Sequence, residues 1–195
     1  MATRSVPRAP FKIDDGIRGY KLYYRPGGLF GWVLYLFTRK THTSVALNAR
    51  EQLHASQAHG KVVISEIDWG RKPLLVPLPW EEAVFEKVVE EMLGNPYSEL
   101  QLITKALQVP TGWDWLVHKS TRKEGRDCSE VGGRWSFLHS LFSKAIGRGW
   151  ISKRLQKLAA IPDLLTPSKG LKIDRALVRV LGLKPISRYI TPEPL

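Results

Sequence analysis

An α+β fold, an antiparallel sheet packed against a cysteine-bearing helix, is predicted by three features of the 195-residue sequence. Short runs rich in β-branched residues cluster between residues 42 and 78. Longer stretches with helical spacing of apolar residues follow them, and the chain's one cysteine, Cys128, opens one of these stretches. A chain of this length fits one domain with a real core and no need of disulfide staples.

Met1 to Pro10 holds two arginines and two prolines but no apolar centre, so it reads as a flexible basic arm and not as a secretory signal. Residues 11–28 lead in, with Gly27-Gly28 as a turn. The apolar run Leu29 to Phe37 is far short of the roughly 20 residues that span a bilayer, and is expected as a buried helix under the sheet. Thr41 to Leu47 reads as a strand with His42 at its start, Lys61 to Ile67 as a second and Leu74 to Leu78 as a third. Gly60 and the stretch Gly70 to Pro73 supply turns, and His54 and His59 are expected as exposed loop histidines.

Trp80 to Leu93 is an amphipathic helix with Val84, Val88 and Met92 on its stripe and Gly94 as its stop. A further helix is expected over Ser98 to Gln108, closed by Pro110 and Gly112. Trp113 to Gly125 is a loop dense in tryptophan and basic residues. After Cys128, apolar residues at 131, 135, 138, 141, 142, 145 and 146 mark one buried helical face. A short helix over Ile173 to Leu181 then precedes a Pro-containing tail. The organisation is a basic arm over 1–10, a catalytic domain over 11–170, and a C-terminal helix and tail over 171–195.

The candidate chemistry centres on Asp127-Cys128-Ser129-Glu130. Asp127 is a good N-cap and Glu130 stands three residues on, the spacing of a capping box. Cys128 therefore falls in the first helical turn, where free backbone N–H groups and the helix dipole favour an anion. A thiol there is expected to have a lowered pKa and to act as a nucleophile. The commoner fate of a lone cysteine is as a small buried hydrophobe. His42 and Glu66, each on a strand, are the candidate base and orienting group. A solvated histidine and a strand-end carboxylate facing water are the plain alternatives.

The order of these segments resembles the circularly permuted branch of the NlpC-type papain-like peptidases and amidases, in which a histidine strand precedes the cysteine helix. The matching stretches are His42 with Ser44 to Leu47, Val62 to Glu66, and Cys128 to Val131. Gly94 to Tyr97 and Leu165 to Ser168 echo the family's Gly-x-x-Tyr turn and Thr-Pro close. The likeness covers roughly residues 12 to 170. It departs where Thr43 and Ser44 stand between the histidine and the hydrophobic run, and where Glu66-Ile67 replaces Glu-Ala.

The resemblance implies a permuted papain-like fold and a cysteine hydrolase with Cys128 as nucleophile, His42 as base and Glu66 as orienting group. It implies no cofactor or metal. The implied substrate is an amide or peptide bond in bacterial peptidoglycan, with a phage-encoded or virion-borne role among other virion proteins. The start of the cysteine helix is also similar to that of the lecithin–retinol acyltransferase group, which makes lipid acyl hydrolysis or transfer the second enzymatic reading.

Composition bounds the rest. One cysteine makes neither an internal disulfide nor a cysteine-based zinc site. The net charge of +12, from 30 Lys+Arg against 18 Asp+Glu, fits an anionic partner such as cell-wall phosphates, headgroups or nucleic acid. A non-enzymatic reading follows: a basic virion structural or nucleic-acid-binding protein. With no export signal and no spanning segment, the expected setting is a host cytoplasm or a phage particle.

Overall fold

In a computed structural model the described residues are 19–25, 42–48, 50–78, 81–98, 127–161 and 165–183, with single positions 32, 35, 36, 101, 103–105, 107 and 111. They form a mixed α+β fold around a five-stranded antiparallel sheet. The strands are β1 (Gly19–Tyr24), β2 (His42–Ala46), β3 (Glu51–Ser56), β4 (Lys61–Glu66) and β5 (Leu74–Leu78), in the spatial order β4-β3-β2-β1-β5. The helices are α1 (Glu82–Met92), α2 (Cys128–Leu138), α3 (Ser140–Gly147), α4 (Lys153–Ala160) and α5 (Pro167–Val180).

Two of the strands lie where the sequence reading had none. β1 falls in the expected lead-in, and β3 falls where His54 was expected in a loop. Asn48 builds the β2–β3 connection: its side-chain oxygen accepts the N–H groups of Arg50 and Glu51, each at 2.8 Å. Gly60, at φ +63°, makes the tight β3–β4 turn that a side-chain-bearing residue would strain.

Alternation along the strands divides the sheet into two faces. Tyr23, Val45, Leu53, Ala55 and Val62 join Cys128, Val131, Trp135, Ile173 and Leu177 in the main core, the side that carries the helices. Leu22, Tyr24, Ala46 and Leu75 form a smaller cluster with Ile67 and Trp69 on the other side.

The α2 helix crosses the sheet closely because residues 132 and 133 are glycines. A Cβ at 132 would stand 2.6 Å from Lys21 Cε, and one at 133 would stand 2.3 Å from Leu165 Cδ1. Gly132 leaves room for a buried polar knot. Lys21 of β1 is 1 % exposed, and its Nζ lies 3.0 Å from Asp174 of α5 and donates to Ser136 of α2 at 2.8 Å. Ser136 also donates to Asp174 at 2.6 Å, and the Tyr23 hydroxyl donates to the same carboxylate. Burial lowers the Lys21 pKa, opposed by Asp174, and raises that of Tyr23 well above 10.

Several sequence expectations change. The stretch after Cys128 is two helices, because His139 turns the chain and its Nδ1 accepts the Leu141 N–H at 3.2 Å, capping α3. The last helix starts at Pro167, capped by Thr166, and its buried Ile173, Ala176, Leu177 and Val178 make it part of the core. A boundary at 170 therefore cuts through an integral element. In the apolar run 29–37, Trp32 and Leu36 are 56 % and 67 % exposed, so a wholly buried helix does not hold there. The expected loop over 113–125 and the arm over 1–10 lie outside the described residues. Among those residues no helix is long and apolar enough to cross a membrane.

Asp174→Ala would strand the Lys21 ammonium in the core, and breaking a buried pair in this way costs about 3 to 5 kcal/mol. Urea unfolding should show a loss of that size. The double variant Lys21→Met/Asp174→Leu should lie nearer the wild type, since it removes both charges.

Candidate active site

The start of α2 forms as its sequence predicts. The Asp127 carboxylate accepts the N–H groups of Ser129 and Glu130 at 2.7 and 3.1 Å, and Glu130 accepts the Asp127 N–H at 2.9 Å. Lys105 Nζ stands 2.6 Å from the second carboxylate oxygen of Asp127, and both side chains are buried. The cap is thereby tied to the helical stretch that holds Gln101, Ile103, Thr104 and Lys105.

Cys128 is 2 % exposed, and its thiol is not acidified. Burial, and next the Asp127 charge, push it up to about 12. The Thr43 backbone N–H facing the sulfur, the Lys105 charge and the Ser129 hydroxyl act in the opposite sense but do not prevail. This corrects the expected low pKa: the helix start does favour an anion, yet desolvation inside the main core outweighs it.

His42 opens β2, and Thr43, its neighbour in sequence, is the residue whose N–H faces the Cys128 sulfur. The His42 side chain, however, leaves the strand on the face opposite α2, where its ring lies 5.5 Å from that of Tyr24. Thr43 and Val45 alternate to the α2 side: Thr43 Oγ1 would lie 3.3 Å from a Cβ at 132. Thiol and imidazole thus approach from two sides of the end of β2. No hydrogen bond joins them among the described residues.

The partner of His42 is His54. His42 Nε2 lies 3.2 Å from His54 Nδ1, and His54 Nε2 lies 2.8 Å from Ser65 Oγ. This chain crosses β2, β3 and β4. With its hydroxyl proton turned to the Glu66 carbonyl, 3.3 Å away, Ser65 accepts from His54 Nε2–H. His54 Nδ1 then has a lone pair and accepts His42 Nε2–H, which leaves His42 Nδ1 unprotonated. Burial first, and then a neighbouring histidine, lowers His42 to about 3 and His54 to about 4, so both rings are neutral at pH 7. Beside them Gln52 accepts from Tyr24 and Ser44 at 2.8 and 2.6 Å, which closes the polar surface around the pair.

Glu66 does not orient His42. It is exposed at the far end of β4, opposite Glu51. Its side chain projects on the Leu53 and Val62 face, whereas Ser65 and His54 project on the His42 face. One residue of register separates the expected third group from the observed one. His54 was misplaced because β3 was not recognised, although Leu53 and Ala55 alternating with Gln52, His54 and Ser56 was a readable signal. Lys105 had no signal of its own, since its partner is 22 residues away.

Among the described residues no group of three or more His, Cys, Asp and Glu is placed to hold a metal ion. No protein-family model, no curated protein and no solved structure matches this chain.

The depressed histidines carry a pH dependence of stability. The unfolded chain takes up protons near pH 6.5, whereas the folded rings remain neutral to about pH 4 and pH 3. The stabilisation is therefore present above pH 6.5 and is lost as pH falls toward 3. His42 alone should account for about 2 kcal/mol between pH 7 and pH 5. Denaturant unfolding across this range should show the slope, and His42→Phe should reduce it by about half, leaving the His54 share.

Proposed function

We propose that this protein is a cysteine hydrolase in which Cys128 is the nucleophile, His42 the general base and His54 the group that orients His42. What supports the reading is the hydrogen-bonded chain from Ser65 through His54 to His42, whose neighbour in the strand, Thr43, presents its N–H to the Cys128 sulfur. A neutral imidazole with a bare nitrogen is the form a general base requires, and with His42 held at about 3 and the thiol at about 12, substrate must change both environments before the proton moves. In the resting form both thiol and imidazole are neutral, so the sulfur loses its proton when substrate is engaged. That step requires His42 to leave its contacts with Tyr24 and His54 and cross from the opposite sheet face around the end of β2, a conformational change that substrate binding must drive.

The chemistry then follows acyl transfer. His42 takes the thiol proton as sulfur attacks the carbonyl carbon, and the tetrahedral oxyanion meets the Cys128 N–H, since Asp127 already holds those of Ser129 and Glu130. Collapse breaks the C–N bond, and His42 returns the proton to the leaving amine. Water, deprotonated by His42, hydrolyses the thioester and regenerates the thiol. The resemblance to NlpC-type peptidases supports a peptidoglycan amide or peptide bond as the substrate and a phage-borne lytic setting. Lipid acyl hydrolysis is the second substrate reading.

Burial of the thiol favours a different reading, in which Cys128 is inert packing and the protein is a basic scaffold. The rate of alkylation separates the two. In the hydrolase, iodoacetamide modifies Cys128 in folded protein with a pH profile that His42→Ala abolishes. In the scaffold, folded protein is modified only as fast as it unfolds. Cys128→Ser should abolish cleavage of purified peptidoglycan or acyl esters by about 1,000-fold or more, with the protein still folded and about 1 to 3 kcal/mol less stable for the hydroxyl placed in the core. His54→Ala should lower the rate less than His42→Ala, and Glu66→Gln should leave it intact. Equal losses for His54→Ala and Glu66→Gln would refute the assignment of His54.

A further inference from the structure

The three C-terminal helices have an exposed face of one sign. Residues 140–183 contain nine Lys and Arg (144, 148, 153, 154, 157, 169, 172, 175 and 179) against two aspartates. One of those two, Asp174, is fully buried and held by Lys21, so it offsets nothing at the surface. The cations recur at helical spacing: 144 and 148 on α3, 153 and 157 on α4, and 172, 175 and 179 on α5. All seven of these side chains are exposed. The opposite faces are committed to the core through Phe142, Ala145, Leu158, Ala159, Ile173 and Leu177.

Like charges three and four apart destabilise a helix, and a purely solvated face ordinarily mixes the two signs. The α1 helix has such a mixed face, with Lys87 beside Glu86 and Glu90. The C-terminal helices do not, so their arrangement suits an external polyanion. A membrane is the poorer fit, because the apolar faces of these helices are committed to the core and only Trp150 and Ile161 flank them as large exposed apolar residues. Beside the stripes Trp150 is 38 % exposed with the Arg148 guanidinium 5.3 Å from its ring, a cation and an aromatic surface side by side.

We infer that the joined outer face of α3, α4 and α5 is a binding surface for the phosphate backbone of nucleic acid. Lys153, Arg154 and Lys157 are the densest group of exposed cations on it, and recognition is by charge and not by base sequence. This surface is separate from the thiol chemistry, so Cys128→Ser should bind as the wild type does.

The test is fluorescence anisotropy of the full chain with a labelled DNA duplex of about 20 base pairs, over roughly 50 to 200 mM salt. Neutralising three phosphate contacts should lower the salt slope by about 2.7, from a slope of about 0.9 per contact. Lys153→Gln/Arg154→Gln/Lys157→Gln should therefore weaken binding by about tenfold or more. The control Arg50→Gln/Lys61→Gln/Lys87→Gln removes the same three charges elsewhere and should stay within about twofold. Circular dichroism verifies that both variants are folded. Equal weakening by the two variants would reduce the effect to net charge and overturn the inference. So would absence of duplex binding, or binding to phosphatidylserine vesicles that alone depends on the α4 cations.

Discussion

The buried ion pair between Lys21 and Asp174 is the constraint on which the arrangement depends. It joins three elements distant in sequence: the interior strand β1, the cysteine helix α2 through Ser136, and the last long helix α5. Each member is nearly or fully buried, and each has polar partners, the condition under which a buried charge is tolerable. The glycine at 132 exists for the same reason, since any side chain there would strike the lysine stem. Sheet and helix are held at one separation and one register, and the start of α2 is set against the end of β2.

From that placement the candidate site follows. Cys128 enters from the helix side and His42 from the opposite face, with the Thr43 backbone between them. The protein keeps both groups neutral by burying them, a different solution from a preformed thiolate–imidazolium pair. What organises the imidazole is a second histidine backed by a serine. That chain runs along one face of three neighbouring strands, so its geometry is as rigid as the sheet pairing itself.

Much of this was legible in the sequence, and the failures have physical causes. The strands β2, β4 and β5 announced themselves through Val, Ile and Leu, and the capping box at Asp127 formed as spaced. The strand β1 was hidden because Lys21 interrupts it, and a lysine reads as solvated until its partner 153 residues later is known. β3 was hidden because only Leu53 and Ala55 are apolar in a strand whose other face carries Gln52, His54 and Ser56. Losing that strand turned a buried histidine into a loop residue and promoted Glu66 in its place. The thiol's pKa was misjudged because helix-end electrostatics can be read locally, whereas desolvation depends on the whole core.

The central claim is that His42 and His54 share one ordered proton arrangement, with His42 Nδ1 bare. Nitrogen-15 NMR of the histidine side chains measures this directly. At pH 7 both rings should be neutral with the proton on Nε2, and they should remain neutral as pH falls past 5. An imidazolium at His42 near neutrality, or a proton on His42 Nδ1, would contradict the account.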